Sequence, residues 1–592
     1  MSHMDRPLSF ASTLGPESRS SSVSSSATLQ AVDTYIETIP EVDLTVDDSH
    51  ELQDGEIALV RLVIRDQVFQ EGDFVEVRNT KLSSFVVEFI QVKGVIENRQ
   101  RKRFLRGLPF TRTKNVENQL SRKLNEICML HYKSTAIETV LVSVSEDLVI
   151  GKREMIMTNC PWPKFSEILQ LPNATQDKHQ RQRRRLERRG RLVCRWTAKF
   201  DFILQGSTMK VYEKALVALR STDVSDSRHR IEDWKLRNRW RGSCVKGGSW
   251  INGKQADQSP IDLDSRSTAN IGAMNQRYTL FDAYAGGGGV SRGAQDAGFQ
   301  VAYAIDQDQD ACETYKLNFP TARLYEMSVH QFIKSVAGER IRSDILHLSP
   351  PCQAFSPAHT RPSSHDEENT FAFLGGGELV NKIRPRIVTT EQTFGITHDR
   401  HSEFLQAFIH HLTSFGYSVR WKVAHLCTWG CPQNRRRLLI IAAGPGETLP
   451  PFPKDTHGEG RRRPYESFGQ AIARISPRDR LHNIVRDTYL PVPRAPIDAT
   501  KLAPTVTTKA DIIHPNGKRK LTVRELACLQ GFPDCHRFTG GKTIMCRQIG
   551  NAFPPNMVQV LYKHIRKCLL REDGLIQPRS ASAIDGVVID LT

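Results

Sequence analysis

Tyr278-Thr279-Leu280-Phe281-Asp282-Ala283-Tyr284, running straight into Ala285-Gly286-Gly287-Gly288-Gly289-Val290, is the segment that sets the architecture. The first seven residues read as a strand. Glycines let the backbone pass close to a ligand, and a helix beginning around Ser291 offers free N–H groups at its start. The next strand, Gln300 to Ile305, ends at Asp306. An acid after the second strand of such a unit can take both hydroxyls of a ribose. Strand, glycine turn, helix, strand, acid therefore predicts a nucleoside site in an α/β fold. The G-x-G-x-x-G register is not met, because Ser291 and Arg292 fill its last position. Nucleotide and S-adenosylmethionine readings both remain open at this point. Downstream, Asp344 to Leu348 is a further short buried strand, stopped by Pro350 and Pro351, which cannot donate ladder hydrogen bonds. Cys352, in Ser349-Pro350-Pro351-Cys352-Gln353, is thereby held at a strand's C-terminal end, where open α/β sheets bind ligands. By itself such a turn suits a small buried thiol equally well.

The chain has 592 residues, enough for two to four domains, and a formal net charge of +17. That excess argues for a polyanionic partner, most simply nucleic acid. The 12 cysteines include no C-x-x-C pair and no Cys/His ligand spacing, which disfavours a metal site. Neither a signal peptide nor a bilayer-spanning run is present, so a nuclear or cytosolic protein with reduced thiols and no membrane partner is expected.

Residues 1–54, rich in Ser and acids, read as a disordered tail. Residues 55–172 carry short β-like runs and predict a mainly β module. Residues 173–277 form a basic connecting region and linker. Within it, Lys178, Arg181, Arg183, Arg184, Arg185, Arg188, Arg189 and Arg191 suit phosphate contact or a nuclear import signal. Trp234-Lys235-Leu236-Arg237-Asn238-Arg239-Trp240-Arg241 suits either backbone contact with stacking or a packed Trp pair. The catalytic fold is expected over 278–443 and 504–571, with a short inserted region at 444–503 and a flexible tail at 572–592.

Six stretches in order carry a family resemblance. They are Tyr284 to Gly289, Pro350-Pro351-Cys352-Gln353, Glu391-Gln392-Thr393, Gln433-Asn434-Arg435-Arg436-Arg437, Arg524-Glu525-Leu526-Ala527-Cys528-Leu529-Gln530-Gly531-Phe532-Pro533 and Gln548-Ile549-Gly550-Asn551-Ala552-Phe553-Pro554. Together they resemble the DNA cytosine-5 methyltransferase family. Glu391-Gln392-Thr393, where Glu-Asn-Val is usual, the short motif spacing and the preceding β module resemble the filamentous-fungal branch linked to repeat-induced point mutation and de novo methylation. Gly72 to Val77, Phe104 to Gly107 and Gly151 to Glu154 with Thr158-Asn159 resemble a bromo-adjacent homology (BAH) domain.

The resemblance implies a Rossmann-like α/β S-adenosylmethionine-dependent catalytic domain, a small target-recognition subdomain and a BAH-like module in front. It implies methyl transfer to C5 of cytosine in double-stranded DNA, in the nucleus, through a thiolate adduct on a flipped base. Cys352 supplies the sulfur, Glu391 binds N3 and the exocyclic amine, and Arg435 and Arg437, expected on one face of an extended segment, favour the thiolate. Cofactor contacts fall to Tyr284, Gly286, Gly288, Asp306, Gln307, Ser328, Pro350, Asn551 and Ala552. DNA contacts fall to Gln353, Ser356, Arg361, Gln433, Arg461, Arg462 and Arg463. Ala354 to Gly377, with Gly375 to Gly377 at its end, reads as a mobile loop closing over the base. The BAH-like module implies chromatin or histone tails as partners, and Val587 to Thr592 resembles a SUMO-interacting motif. The altered Glu391-Gln392-Thr393 and Ser328, where aspartate is common, keep open a second reading, a catalytically weak or inactive DNA-binding regulator. A tRNA methyltransferase of the same fold is a third.

Overall fold

In the parallel half of the chain, alternate side chains of each strand sort into two different cores. The computed structural model describes residues 52, 55–135, 137–162, 176–205, 208–242, 250–251, 254–255, 276–351, 366–484 and 489–576. The Ser-rich tail and Val587 to Thr592 lie outside the described residues.

The front module is an antiparallel series, Phe74–Leu82, Phe85–Glu97, Arg103–Arg112 and Glu126–Lys133. The Arg-dense run is helix α1, Gln176–Arg189. Two long strands follow, β1 (Leu192–Gln205) and β2 (Thr208–Ala218), paired antiparallel, with β1 also lying parallel to Glu126–Lys133. The Trp-containing patch is helix α2, Asp233–Arg241. Of its two readings the packed one describes Trp240. The ring lies against Phe415 and Tyr417, and its Nε1 donates to the Tyr417 hydroxyl at 3.0 Å. Arg237 pairs with Glu572 at 2.8 Å, and Arg241 is buried against Asp344. Trp234 stays exposed.

The catalytic half is a seven-stranded sheet. Its strands are β3 (Thr279–Ala283), β4 (Gln300–Asp306), β5 (Arg323–Glu326), β6 (Ile345–Leu348), β7 (Ile387–Thr393), β8 (Ser418–His425) and β9 (Arg436–Ala443). The order is β5-β4-β3-β6-β7-β9-β8, parallel from β5 to β7, with β9 antiparallel to both its neighbours. Strand period 2 sends Phe281, Ala283, Leu346, Leu348, Val388 and Ile440 to one core. Leu280, Ile345, Ile387, Leu439, Ile441 and Ala443 go to the other. The first core is covered by helices α5 (Val329–Ser335), α6 (Asp366–Ile383) and α7 (Ser402–Ser414). The second is covered by α3 (Gly289–Asp296) and the C-terminal helix α9 (Pro555–Glu572). Helices α4 (Gln309–Asn318) and α8 (Lys542–Asn551) complete the surroundings of the site.

One sequence expectation changes here. Gly375 to Gly377 do not belong to a loop but lie inside α6. A Cβ on Gly377 would sit 2.3 Å from the His411 ring, and one on Gly376 3.3 Å from Leu348, so glycine lets α6 press close to α7 and the sheet. The β module joins the catalytic half edge to edge. Strand β2 pairs antiparallel with β8, Glu213 opposite Lys422 through Leu216 opposite Val419, so module and catalytic half share one sheet. No described helix is long and apolar enough to cross a membrane.

Candidate active site

The C-terminal ends of β3, β4, β6 and β7 open onto a cavity of about 1290 Å³. Its floor is the glycine turn. Tyr284 and Gly286 both have left-handed backbone, φ 62° and 53°, which swings the chain from strand to helix within a few residues. The Gly286 N–H donates to Asp306 Oδ2 at 2.7 Å, and the Asp308 N–H to Oδ1 at 2.8 Å. Burial raises the Asp306 carboxyl pKa above its ordinary value. Each oxygen keeps a further lone pair for a ligand hydroxyl. Gly288 does not line the cavity. It has φ 85°, and a Cβ there would lie 2.3 Å from the Phe319 ring, so its role is to let α3 start against α4.

Beneath the turn, Asp282 is fully buried, accepts from the Ser291 N–H and hydroxyl, and is pushed up to about pKa 7 by burial. Gln307, Ser328, Pro350, Asn551 and Ala552 all reach the cavity wall. The Ser328 hydroxyl accepts from the Gln331 N–H and caps α5, so an aspartate's charge is absent there. Val290, Ile305, Met327, Val329 and Ile333 make an apolar wall.

Glu391 projects from β7 onto the same cavity, 6% exposed, with Arg437 Nε 2.6 Å from its Oε1. Arg437 is not on the cavity wall and acts through Glu391. Arg435 does not share its face, contrary to the expectation that both arginines lie on one face of an extended segment. Its guanidinium is buried and donates to the carbonyls of Val506 (2.8 Å), Gly550 (3.3 Å) and Ala552 (3.4 Å). Because it precedes the regular strand, alternation does not govern its direction. Gln433 is likewise sealed, donating to the Leu529 carbonyl and accepting from the Val506 N–H, both at 2.9 Å, and cannot reach DNA. Both residues hold the returning C-terminal segment in place. Arg461, Arg462 and Arg463 are exposed around a tight turn closed by the His457–Arg463 bridge. Cys352, Gln353, Ser356 and Arg361 lie outside the described residues, while Pro351, the neighbour of Cys352, lines the cavity.

The departure at Gln392 acquires a physical role. Its Nε2 donates to the Pro350 carbonyl at 3.3 Å and its Oε1 accepts from the Thr393 N–H at 2.8 Å. The glutamate strand is thereby tied to the turn that precedes Cys352. Sequence reasoning missed Glu378, His411, Arg547, Gln548 and Phe553 on the cavity wall. Glu378 was hidden by reading α6 as loop. Gln548 and Phe553 stand in a motif already quoted and could have been found there. Among the described residues no group of three His, Cys, Asp or Glu is placed to hold a metal ion.

A glycine turn with open space at Gly286, a carboxylate with spare acceptors and an apolar wall fit a nucleoside-bearing methyl donor, and β9 runs reversed between β7 and β8. These features define an S-adenosylmethionine-dependent methyltransferase. The model of the C-5 cytosine-specific DNA methylase family matches residues 278–483 and 461–567. The type II methyltransferase M.XorII of Xanthomonas oryzae pv. oryzae is 27% identical over 366 residues, covering 49% of this chain and 85% of the relative. M.Sau96I of Staphylococcus aureus is 26% identical over 360 residues, 52% and 83%. Among solved structures, the Entamoeba histolytica methyltransferase EhMeth is 14% identical with a TM-score of 0.37, covering 50% of this chain and 98% of that one. The chain carries a C-5 cytosine-specific DNA methyltransferase domain, and its methyl donor is S-adenosylmethionine.

Proposed function

We propose that this enzyme methylates cytosine de novo in nuclear chromatin, silencing repeated DNA, with the front module as a BAH-like unit that faces chromatin or histone tails. The observation that supports the chemistry is the meeting of Glu391, braced from behind by Arg437, and the Ser349-Pro350-Pro351 turn on one cavity, one residue before Cys352. The target base is flipped out of the duplex to reach it. The Cys352 thiolate adds to C6 and pushes electrons toward N3, where Glu391 holds a proton in place. S-adenosylmethionine supplies an electrophilic methyl group, which C5 takes. A base then takes the C5 proton, which restores the C5–C6 double bond and expels the thiolate. Arg437 orients Glu391, and Gln392 holds the turn that presents Cys352.

The 444–503 region holds one short helix, Phe468–Ile472, and exposed arginines that suit phosphates more than base edges. Loose sequence context follows. The SUMO-type tail, Val587 to Thr592, is a further candidate contact. Tritiated methyl transfer to unmethylated and hemimethylated duplexes tests the reading, with Cys352→Ser as control. Equal labelling by wild type and variant removes Cys352 from the mechanism. A strong preference for hemimethylated DNA removes the de novo role. Tight binding of cofactor and DNA without turnover favours the regulator instead. Bisulfite sequencing of naive DNA after incubation gives the context.

A further inference from the structure

Helix α1 lies outside the catalytic half, and nothing in the reaction uses it. Successive residues of an α-helix turn by about 100°. Lys178, Arg181, Arg184, Arg185, Arg188 and Arg189 therefore fall within an arc of roughly 140°. All six are exposed. Leu186 and Glu187 fall on the opposite side and are half-buried. That side is anchored. Arg112 Nη2 donates to the Glu187 carbonyl at 2.9 Å, Arg153 Nη2 donates to the Gly190 carbonyl at 2.8 Å, and Lys114 pairs with the Glu187 carboxylate at 3.5 Å. Of the helix's two acids, Asp177 shares the basic side, at its first turn, and Glu187 does not.

We propose that this face of α1 grips the phosphate backbone of duplex DNA at a second contact, separate from the catalytic cavity. From Lys178 to Arg189 the helix rises about 16 Å, long enough to run beside several phosphates spaced about 3.4 Å along each strand. The face carries no aromatic or aliphatic anchor of the kind that seats a protein partner. Its charge is also surplus. Nearby Arg153 pairs with Glu76, Lys152 with Asp73 and Arg191 with Glu154, so those cations are spent locally. The contact is therefore electrostatic and sequence-independent. Because α1 belongs to a module fused to the catalytic sheet through β2 and β8, a duplex held there raises the effective concentration of DNA at the cavity.

The inference rests on duplex DNA being the substrate, and the experiment keeps the two apart. Full-length protein is titrated onto a short A·T-only duplex, which offers no target cytosine, between about 50 and 200 mM salt. Three proteins are compared with wild type. One carries R181Q, R185Q and R188Q, one carries lysine at the same three positions, and one carries R183Q on the other side of the helix. The glutamine triple should flatten the log–log salt slope by about 2.7, from roughly 0.9 per phosphate lost. Across that salt range wild type should then lose roughly 40-fold more affinity than the triple variant. The lysine triple keeps the wild-type slope, R183Q leaves it unchanged, and kcat on saturating DNA is the same in all. An unchanged slope in the glutamine triple, an equal change in R183Q, or a loss confined to single-stranded RNA overturns the proposal. If the glutamine triple unfolds, R181Q and R188Q made singly decide, each expected to flatten the slope by about 0.9, and an unchanged slope in both overturns the proposal. Failure of wild type to methylate any DNA would instead sink the substrate assignment.

Discussion

At the N-terminal end of β7, Arg386 is clasped by Glu447 and Asp573. Toward the other end of the same strand, Glu391 meets Arg437. The first group is sealed. Arg386 donates twice to Glu447 (2.9 and 3.0 Å) and twice to Asp573 (2.9 and 2.8 Å), and the Tyr278 hydroxyl donates to Asp573 at 2.6 Å. Burial alone would raise the Asp573 carboxyl, but the Arg386 charge overrides it and holds the pKa below its ordinary value. The second pair opens on the cavity through Glu391 alone. The same two kinds of side chain thus serve different ends. A cluster that spends its hydrogen-bonding capacity on itself fastens β3, β7 and the end of α9 together. A pair with capacity left over can meet a substrate.

Arg386→Met should break the sealed end most severely, because it leaves two buried carboxylates without a counter-charge. A loss of about 3–5 kcal/mol in urea unfolding is expected. A loss below about 1 kcal/mol would mean the cluster does not hold the fold. Glu391→Gln sharpens the other side of the contrast. Methyl transfer should fall about 10²–10⁴-fold while stability moves little. The reverse pattern, full activity with a large drop in stability, would erase the distinction between the two ends.

The smallest effect concerns Asp282, between the two ends of β3 and beneath the glycine turn. Its folded-state pKa of about 7 lies above its ordinary 3.8, so the folded chain holds this proton more tightly. That stabilisation is fully present below the ordinary value and fades as pH rises through about 7. Asp282→Asn cannot ionise. The stability gap between variant and wild type should shift by about 4 kcal/mol in the variant's favour from pH 4 to pH 8. A gap that stays constant with pH would show the carboxyl to be solvated.

Much of the cavity could be read beforehand because its chemistry is local. The glycine turn, Asp306 after the second strand and the proline stop each need only a few consecutive residues. Arg435 and Gln433 could not be told from contact residues, since a sealed polar side chain and an exposed one look alike in a sequence. Their partners, Val506, Gly550, Ala552 and Leu529, lie roughly 70 to 117 positions away. The three glycines of α6 gave a loop signal that packing overrode, because the His411 ring leaves no room for a side chain at Gly377 and Leu348 presses on Gly376.

By itself the order of residues determined an α/β fold, a nucleoside-binding turn and a glutamate delivered on a buried strand, because period 2 and backbone freedom act within a few positions. Only the tertiary structure decided which arginine faces Glu391, which one braces the returning chain, and that β2 zips onto β8 across some two hundred residues. Those outcomes depend on pairings between distant segments, and no short stretch carries the information about which partner it will meet.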